Sequence, residues 1–313
     1  MLLLPETFSF LNVLINNPRF IYARLIKMLM FGCIGLIKVR NNLMYCKNHY
    51  VYICPAILIN YFVMINTILG HRSIRKFKDD IITPATLNKI LDAGVRASTT
   101  GNMQVYSMIV TTDKRIKQQL WESHFKQDMV NQAPIVLTFC ADFNRFNKWC
   151  IQNKAKPGYD NFLSFFTAAI DALLVAQNVA LAAESENLGI CYLGTTTYMA
   201  KKIIEILDLP KFVVPVTTLV IGYPDENPEL TDRLPLNGVV HYEKYKDYSK
   251  EDINDIYIEK ENLPLTKQLL AENKKETLAQ IFTDNRYTKR DNVTFSNMLL
   301  DVLKEQGFMN NQL

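Results

Sequence analysis

No two of the six cysteines, at positions 33, 46, 54, 140, 150 and 191, share CxxC spacing, and only four histidines accompany them. Structural zinc modules are built from such pairs, so none is expected; free thiols in a reducing cytosol fit best. The two apolar stretches near the start of the chain are short as well. The stretches 25–39 and 51–65 are interrupted by Lys27 and Lys38 and by Pro55 and Asn60, and each falls short of the ~20 residues a membrane-spanning helix needs. Neither shows a signal peptide's order of basic start, apolar run and small-residue cleavage site. Internal repeats and low-complexity tracts are absent. Positive charge is also scarce where it would matter for nucleic acid. Residues 1–63 hold six bases (Arg19, Arg24, Lys27, Lys38, Arg40, Lys47) against Glu6, leaving 29 of the 35 bases and 30 of the 31 acids to the remainder. A near-neutral body offers no nucleic-acid footprint, and the basic balance belongs to the first segment alone.

What is present is a chain of 313 residues, 49% apolar and 21% charged. That suits one large globular domain or two modest ones. Composition changes abruptly near Met64. Residues 1–63 read as an extension: the product of a mis-assigned start with Met64 the first residue, a membrane-associating segment, or an extra subdomain. A membrane contact is expected only if that segment is genuine.

Thr83-Pro84 reads as an N-cap followed by proline at the first helical position, opening a helix over about 84–96. Strands are expected at 105–112, 135–141, 190–193 and 216–222, where β-branched and apolar residues cluster. Helices are expected at 114–131, 164–187, 199–208, 266–281 and 295–306, the third-last stopping at Pro210 and the last at Gly307. The alanine-studded 164–187 pattern suits close helix–helix approach, as a subunit interface or as an ordinary buried helix, with Gly189 as its stop. The chain from 224 to about 263 reads as polar loop. Few strands among many helices make a layered α+β domain.

Four segments could carry chemistry. In His71-Arg72-Ser73-Ile74-Arg75-Lys76-Phe77, the two arginines would share a helical face and grip a phosphate bidentately, with Ser73 adding a hydrogen bond; a solvated basic face would have the same pattern. Ser98-Thr99-Thr100-Gly101-Asn102-Met103-Gln104 is hydroxyl- and amide-rich and suits either a polar turn or the edge of a heterocycle. Tyr192-Leu193-Gly194-Thr195-Thr196-Thr197 places a glycine at a strand end, where backbone can approach a flat ligand. Gly222-Tyr223-Pro224 leads to Arg233, a further phosphate candidate.

Together these segments resemble the oxygen-insensitive nitroreductase and NAD(P)H-flavin oxidoreductase family, in its larger branch with an extended C-terminal region. HRSIRKF, ASTTGNMQ, FCADFNR (139–145), DALLVAQNVALAAESENLGICYLG (171–194) and IGYPDENPELTDRLP (221–235) carry the likeness. It is strong over 64–248, loose over 249–313, and has no counterpart for 1–63. The resemblance implies a central, mainly antiparallel sheet flanked by helices. It implies an FMN-binding core at 64–248 and a C-terminal helical excursion and dimer arm at 249–313, wrapping the partner of a cytoplasmic homodimer.

It further implies that His71, Arg72, Ser73 and Arg75 hold the FMN phosphate and ribityl chain. Ser98, Thr99, Asn102 and Gln104 would line the flavin from the other side, with Gln127 beside them. Tyr192, Gly194 and Thr195 would approach the ring, and Arg233 would reach back to the phosphate. Arg286, Lys289 and Arg290 are candidates for NADPH or NADH, the choice being open. A family lysine two residues before Arg233 is Thr231 here, which puts one phosphate cation in doubt. No catalytic side chain and no metal are implied, because the flavin carries the chemistry. The expected reaction passes hydride from NAD(P)H to a nitroaromatic, quinone or free flavin by ping-pong turnover. A non-catalytic FMN carrier and a different flavin reaction, such as reductive dehalogenation, are the alternatives.

Overall fold

The computed structural model describes residues 64–312 and, before them, only 44–45 and 51–52; the rest of the 1–63 extension lies outside the described residues. The chain divides into two compact units, Met1–Phe62 and Val63–Leu313. In the first, β1 (Met44–Tyr45) pairs antiparallel with β2 (Val51–Tyr52).

The second unit is built on a four-stranded antiparallel sheet. Its strands are β3 (Tyr106–Thr111), β4 (Ile135–Asp142), β5 (Gly189–Leu193) and β6 (Val213–Gly222), in the spatial order β3-β4-β6-β5. Every residue of β4 is buried, because helices cover both faces of the sheet. Residues Ile135, Leu137 and Phe139 face one layer, made by α1 (Pro84–Gly94) and α5 (Phe162–Ser185). Val136 faces the other, made by α2 (Lys114–Ser123), α3 (Met129–Gln132) and α6 (Ala200–Ile206). This is the alternation a pleated strand dictates. The expected α+β architecture is therefore the observed one. β6 runs further back than the pattern suggested, through Pro215, because the β4–β6 register shifts between Phe139 and Cys140, opposite that proline. A bulge relieves a residue that has no N–H to donate.

Four local expectations need correction, the first being the helix over 266–281, which breaks at Lys274 (φ 52) and resumes only at Leu278. The 114–131 pattern is two helices, α2 and α3, separated by Phe125 and Lys126 at φ 55 and 57. The region read as loop up to 263 contains α7 (Lys250–Asn262), opened by a reciprocal capping box between Ser249 and Asp252. Gly189 does not stop α5. Asn187, at φ 61, takes the left-handed position instead, and Gly189 begins β5.

After α4 (Asn144–Gln152) and α5, the C-terminal third continues through α7, α8 (Pro264–Asn273), α9 (Leu278–Gln280), a π-turn over Ile281–Arg286 and α10 (Lys289–Gln306). Gly307, at φ 91, ends α10, and Phe308 N–H returns to the Leu303 carbonyl at 2.8 Å. Val302, Leu303 and the fully buried Phe308 then join Phe143, Phe165 and Val214 in one apolar cluster. The end of the expected dimer arm is thus part of this subunit's own core.

Candidate functional site

The first motif is extended where a helix was expected. Ser73 forms a parallel bridge to Ile190 on β5, and Phe77 bridges to Pro224. Ile74 N–H donates to the Ile190 carbonyl at 2.9 Å. The segment lies in a slot made by two glycines that face each other in register, Gly189 on β5 and Gly222 on β6. A Cβ on Gly189 would stand 2.7 Å from Ile74 Cγ1, and one on Gly222 would stand 2.8 Å from Phe77 Cδ1. Burial of Ile74 and Phe77 in that slot leaves His71, Arg72 and Ser73 half-buried and Arg75 exposed. The two arginines therefore do not share a helical face; backbone pairing with β5 sets their directions.

Each side chain of this motif has a distinct environment. His71 Nδ1 lies 2.6 Å from Glu184 Oε1 at the end of α5. Arg72 donates to Asn227 Oδ1 at 2.8 Å and to the Pro228 carbonyl at 2.9 Å, tying the first motif to the 221–235 segment. Glu226 accepts from the backbone N–H groups of Arg75 and Lys76, not from their side chains. The Arg75 guanidinium makes no hydrogen bond or ion pair among the described residues. Its charge reaches the Cys191 thiol, whose pKa burial raises and Arg75 then lowers. An unpartnered guanidinium beside a serine and a second arginine is a donor set that fits a phosphate monoester.

A second cluster lies at the end of β5. His124 Nδ1 is 2.8 Å from Thr195 Oγ1, so the α2–α3 break sits against the strand end. Burial lowers the His124 pKa to about 4, keeping the ring neutral, and its Nε2 has no partner among the described residues. Gln127 donates to the His124 carbonyl at 3.0 Å, which places it in the same break. A Cβ on Gly194 would meet nothing within 4 Å. That open space beside Thr195 admits a flat ring against the backbone. Tyr192 donates to Gln177 Oε1 at 3.4 Å; burial, and secondarily Glu184, pushes its pKa up.

The 98–104 loop forms a third cluster. Thr100 N–H donates to Asp171 Oδ1 at 2.9 Å, and Gln104 Nε2 to Asn102 Oδ1 at 3.2 Å. Gly101, Asn102 and Gln104 all have φ between 54 and 57, a strained turn pinned by buried Asp171 and by Arg145 bonding to the Gln104 and Tyr106 carbonyls. Asp171 and Glu184 both lie on α5, about 20 Å apart along its axis. Within one chain the structure thus joins the first motif to β5 and leaves the 98–104 loop, with Ser98 and Thr99, toward the other end of α5.

Arg233 does not reach the first motif. It donates to Thr231 Oγ1 at 2.6 Å and to the Asp232 carbonyl at 2.9 Å, so Thr231 acts as its acceptor. Of the basic candidates near the C-terminus, Arg286 lines a cavity of about 610 Å³ together with Phe125, Thr197, Tyr198 and Phe295. Tyr198 and Phe295 stack there at 4.3 Å. Lys289 is exposed and does not line it; Arg290 pairs with Asp291 at 3.6 Å in solvent. Glu184, His124 and Asn227 were not singled out from sequence. Each lies inside a quoted segment or an apparent helix, and only its long-range partner marks it out.

The model of the Nitroreductase family matches residues 68–223. The chain is 35% identical over 189 residues to an NADPH-flavin oxidoreductase of Vibrio harveyi, covering 60% of this chain and 77% of that one. It is 33% identical over 227 residues to an oxygen-insensitive NADPH nitroreductase of Salmonella typhimurium, covering 72% and 86%. Among solved structures, a Bacteroides fragilis protein superposes with a TM-score of 0.77 at 53% identity, over 78% of this chain and all of that one. The NADPH:FMN oxidoreductase of Vibrio harveyi complexed with NAD+ superposes with a TM-score of 0.67 at 30% identity, over 80% and 100%.

Proposed function

The chain belongs to the nitroreductase family, as an NAD(P)H-dependent oxidoreductase of the nitroreductase and flavin reductase type, and from that premise we propose that its prosthetic group is FMN. The observation that carries this is the glycine slot. It holds 71–77 extended along β5, with the Arg75 guanidinium unpartnered among the described residues, Arg72 and Ser73 beside it, and open space at Gly194. Bound there, FMN supplies hydride acceptance and delivery between nicotinamide and acceptor.

The protein's part is to bind, orient and shield. Arg72, Ser73 and Arg75 take the phosphate, and His71 sits at their edge. Tyr192, Gly194, Thr195 and Gln127 flank the ring. Neutral His124 fixes the Thr195 hydroxyl. Ser98, Thr99, Asn102 and Gln104 come from the partner subunit of a homodimer, an arrangement supported by their distance from the first motif along α5. The aromatic cavity at Phe125, Tyr198 and Phe295 abuts Gln127 and Thr195 in sequence, and Arg286 on its rim suits a dinucleotide phosphate. One open site serving nicotinamide and then a nitroaromatic, quinone or free flavin implies ping-pong turnover, in the cytoplasm.

The test is to substitute both arginines, Arg72→Ala with Arg75→Ala, and measure flavin absorbance per polypeptide. The doubly substituted protein is expected to purify largely colourless. Full yellow FMN content would refute the phosphate assignment.

A further inference from the structure

We infer that Glu184 is a positioning residue which, through His71, sets this site's preference for phosphorylated over unphosphorylated flavin. The inference rests on the FMN reading above and goes beyond it, because Glu184 itself touches no part of the proposed ligand.

Glu184 lies in the last turn of α5, with its side chain 12% exposed against 32% for His71. Its Oε1 takes the hydrogen on His71 Nδ1 at 2.6 Å. Its Oε2 is buried without a partner, and no lysine or arginine pairs with the carboxylate among the described residues. The phenol of Tyr192, bonded to Gln177, is close enough for the Glu184 charge to disfavour its ionisation. A mostly buried carboxylate with no fixed counter-charge is costly. An imidazolium relieves that cost, and it alone among imidazole forms carries an N–H on both nitrogens. Nδ1–H is committed to Glu184, so the ring is oriented and Nε2–H is left as the free donor for the phosphate that Arg72 and Arg75 are proposed to hold. Glu184 and the ligand phosphate then share one cation between them. Neutral imidazole in this orientation would instead present a lone pair to the phosphate.

The consequence is specific to the phosphate. Riboflavin, which has the same ring and ribityl chain, gains nothing from Nε2–H. A merely structural clamp of residue 71 onto α5 would weaken both flavins alike. The experiment titrates full-length apo-protein with FMN and with riboflavin by fluorescence quenching. It compares wild type, Glu184→Gln, His71→Asn and the double variant. In wild type FMN binds more tightly than riboflavin. In Glu184→Gln the ratio of the two Kd values is expected to fall about tenfold, as for loss of one hydrogen bond to a charged group. Riboflavin affinity should be retained, which also reports that the variant is folded. In the His71→Asn background, Glu184→Gln should cost nothing further. Equal weakening of both flavins by Glu184→Gln, or a full effect without His71, overturns the inference. If wild type binds neither flavin, the FMN reading itself fails, and this inference with it.

Discussion

His124 shows how one residue can couple site geometry to pH. Burial alone lowers its pKa to about 4, while in an unfolded chain the ring titrates near the usual ~6.5. Above that value both states are neutral and the native state bears no penalty. As pH falls below it, the unfolded chain takes up a proton that the native state refuses, so stability declines until the native ring titrates as well. Across that window the loss is about 3 kcal/mol. Urea unfolding at pH 7 and pH 5 should therefore show a smaller pH-dependent loss for His124→Gln than for wild type; equal slopes would mean that His124 does not contribute. Sequence did not single this residue out. Its marks are a contact to Thr195, 71 positions away, and two left-handed residues after it, Phe125 and Lys126. Neither is a glycine, so the usual punctuation is missing. The arginines of the first motif were legible by type but not by direction, since the strand that orients them is remote in sequence.

At the scale of elements, apolar patterning revealed what close packing controls. The four strands of the sheet coincide with runs of β-branched and apolar residues, and Thr83 caps α1 as its sequence position suggests, accepting from Thr86 N–H. Elements held by distant partners or by surface chemistry were less visible. Extended 71–77 borrows its hydrogen bonds from β5, and α7 has only one buried residue, Ile256, to create an apolar period. The two glycines of β5 and its exit loop separate packing from ligand approach. Gly189→Ala pushes a methyl into Ile74 and should cost about 1–3 kcal/mol, lowering Tm and displacing the 71–77 segment. Gly194→Ala meets no neighbour; the apo-protein should melt like wild type yet bind FMN more weakly. A Gly194→Ala variant with unchanged FMN affinity would remove the case for close backbone approach there.

For the whole molecule, α5 is the element that remains half-finished. One side, with Ala172, Val175, Ala176 and Val179, is sealed in the core. The other leaves Phe162, Leu163, Phe166, Ile170, Leu173 and Leu174 between 41% and 70% exposed. Its length and hydropathy would allow a membrane span, but half of that window is buried within the subunit. An apolar stripe of this kind, on a helix that meets the 98–104 loop at Asp171 and the first motif at Glu184, has the form of a self-complementary two-fold interface. Pairing there would bring the partner's loop to a site that one chain furnishes only in part. Phe166→Glu with Leu173→Glu places charges on the stripe without touching the proposed flavin contacts. Light scattering should then report a monomer, with helical content retained by circular dichroism and flavin content reduced along with the dimer. A folded monomer that keeps a full complement of FMN would show that a single subunit suffices for binding.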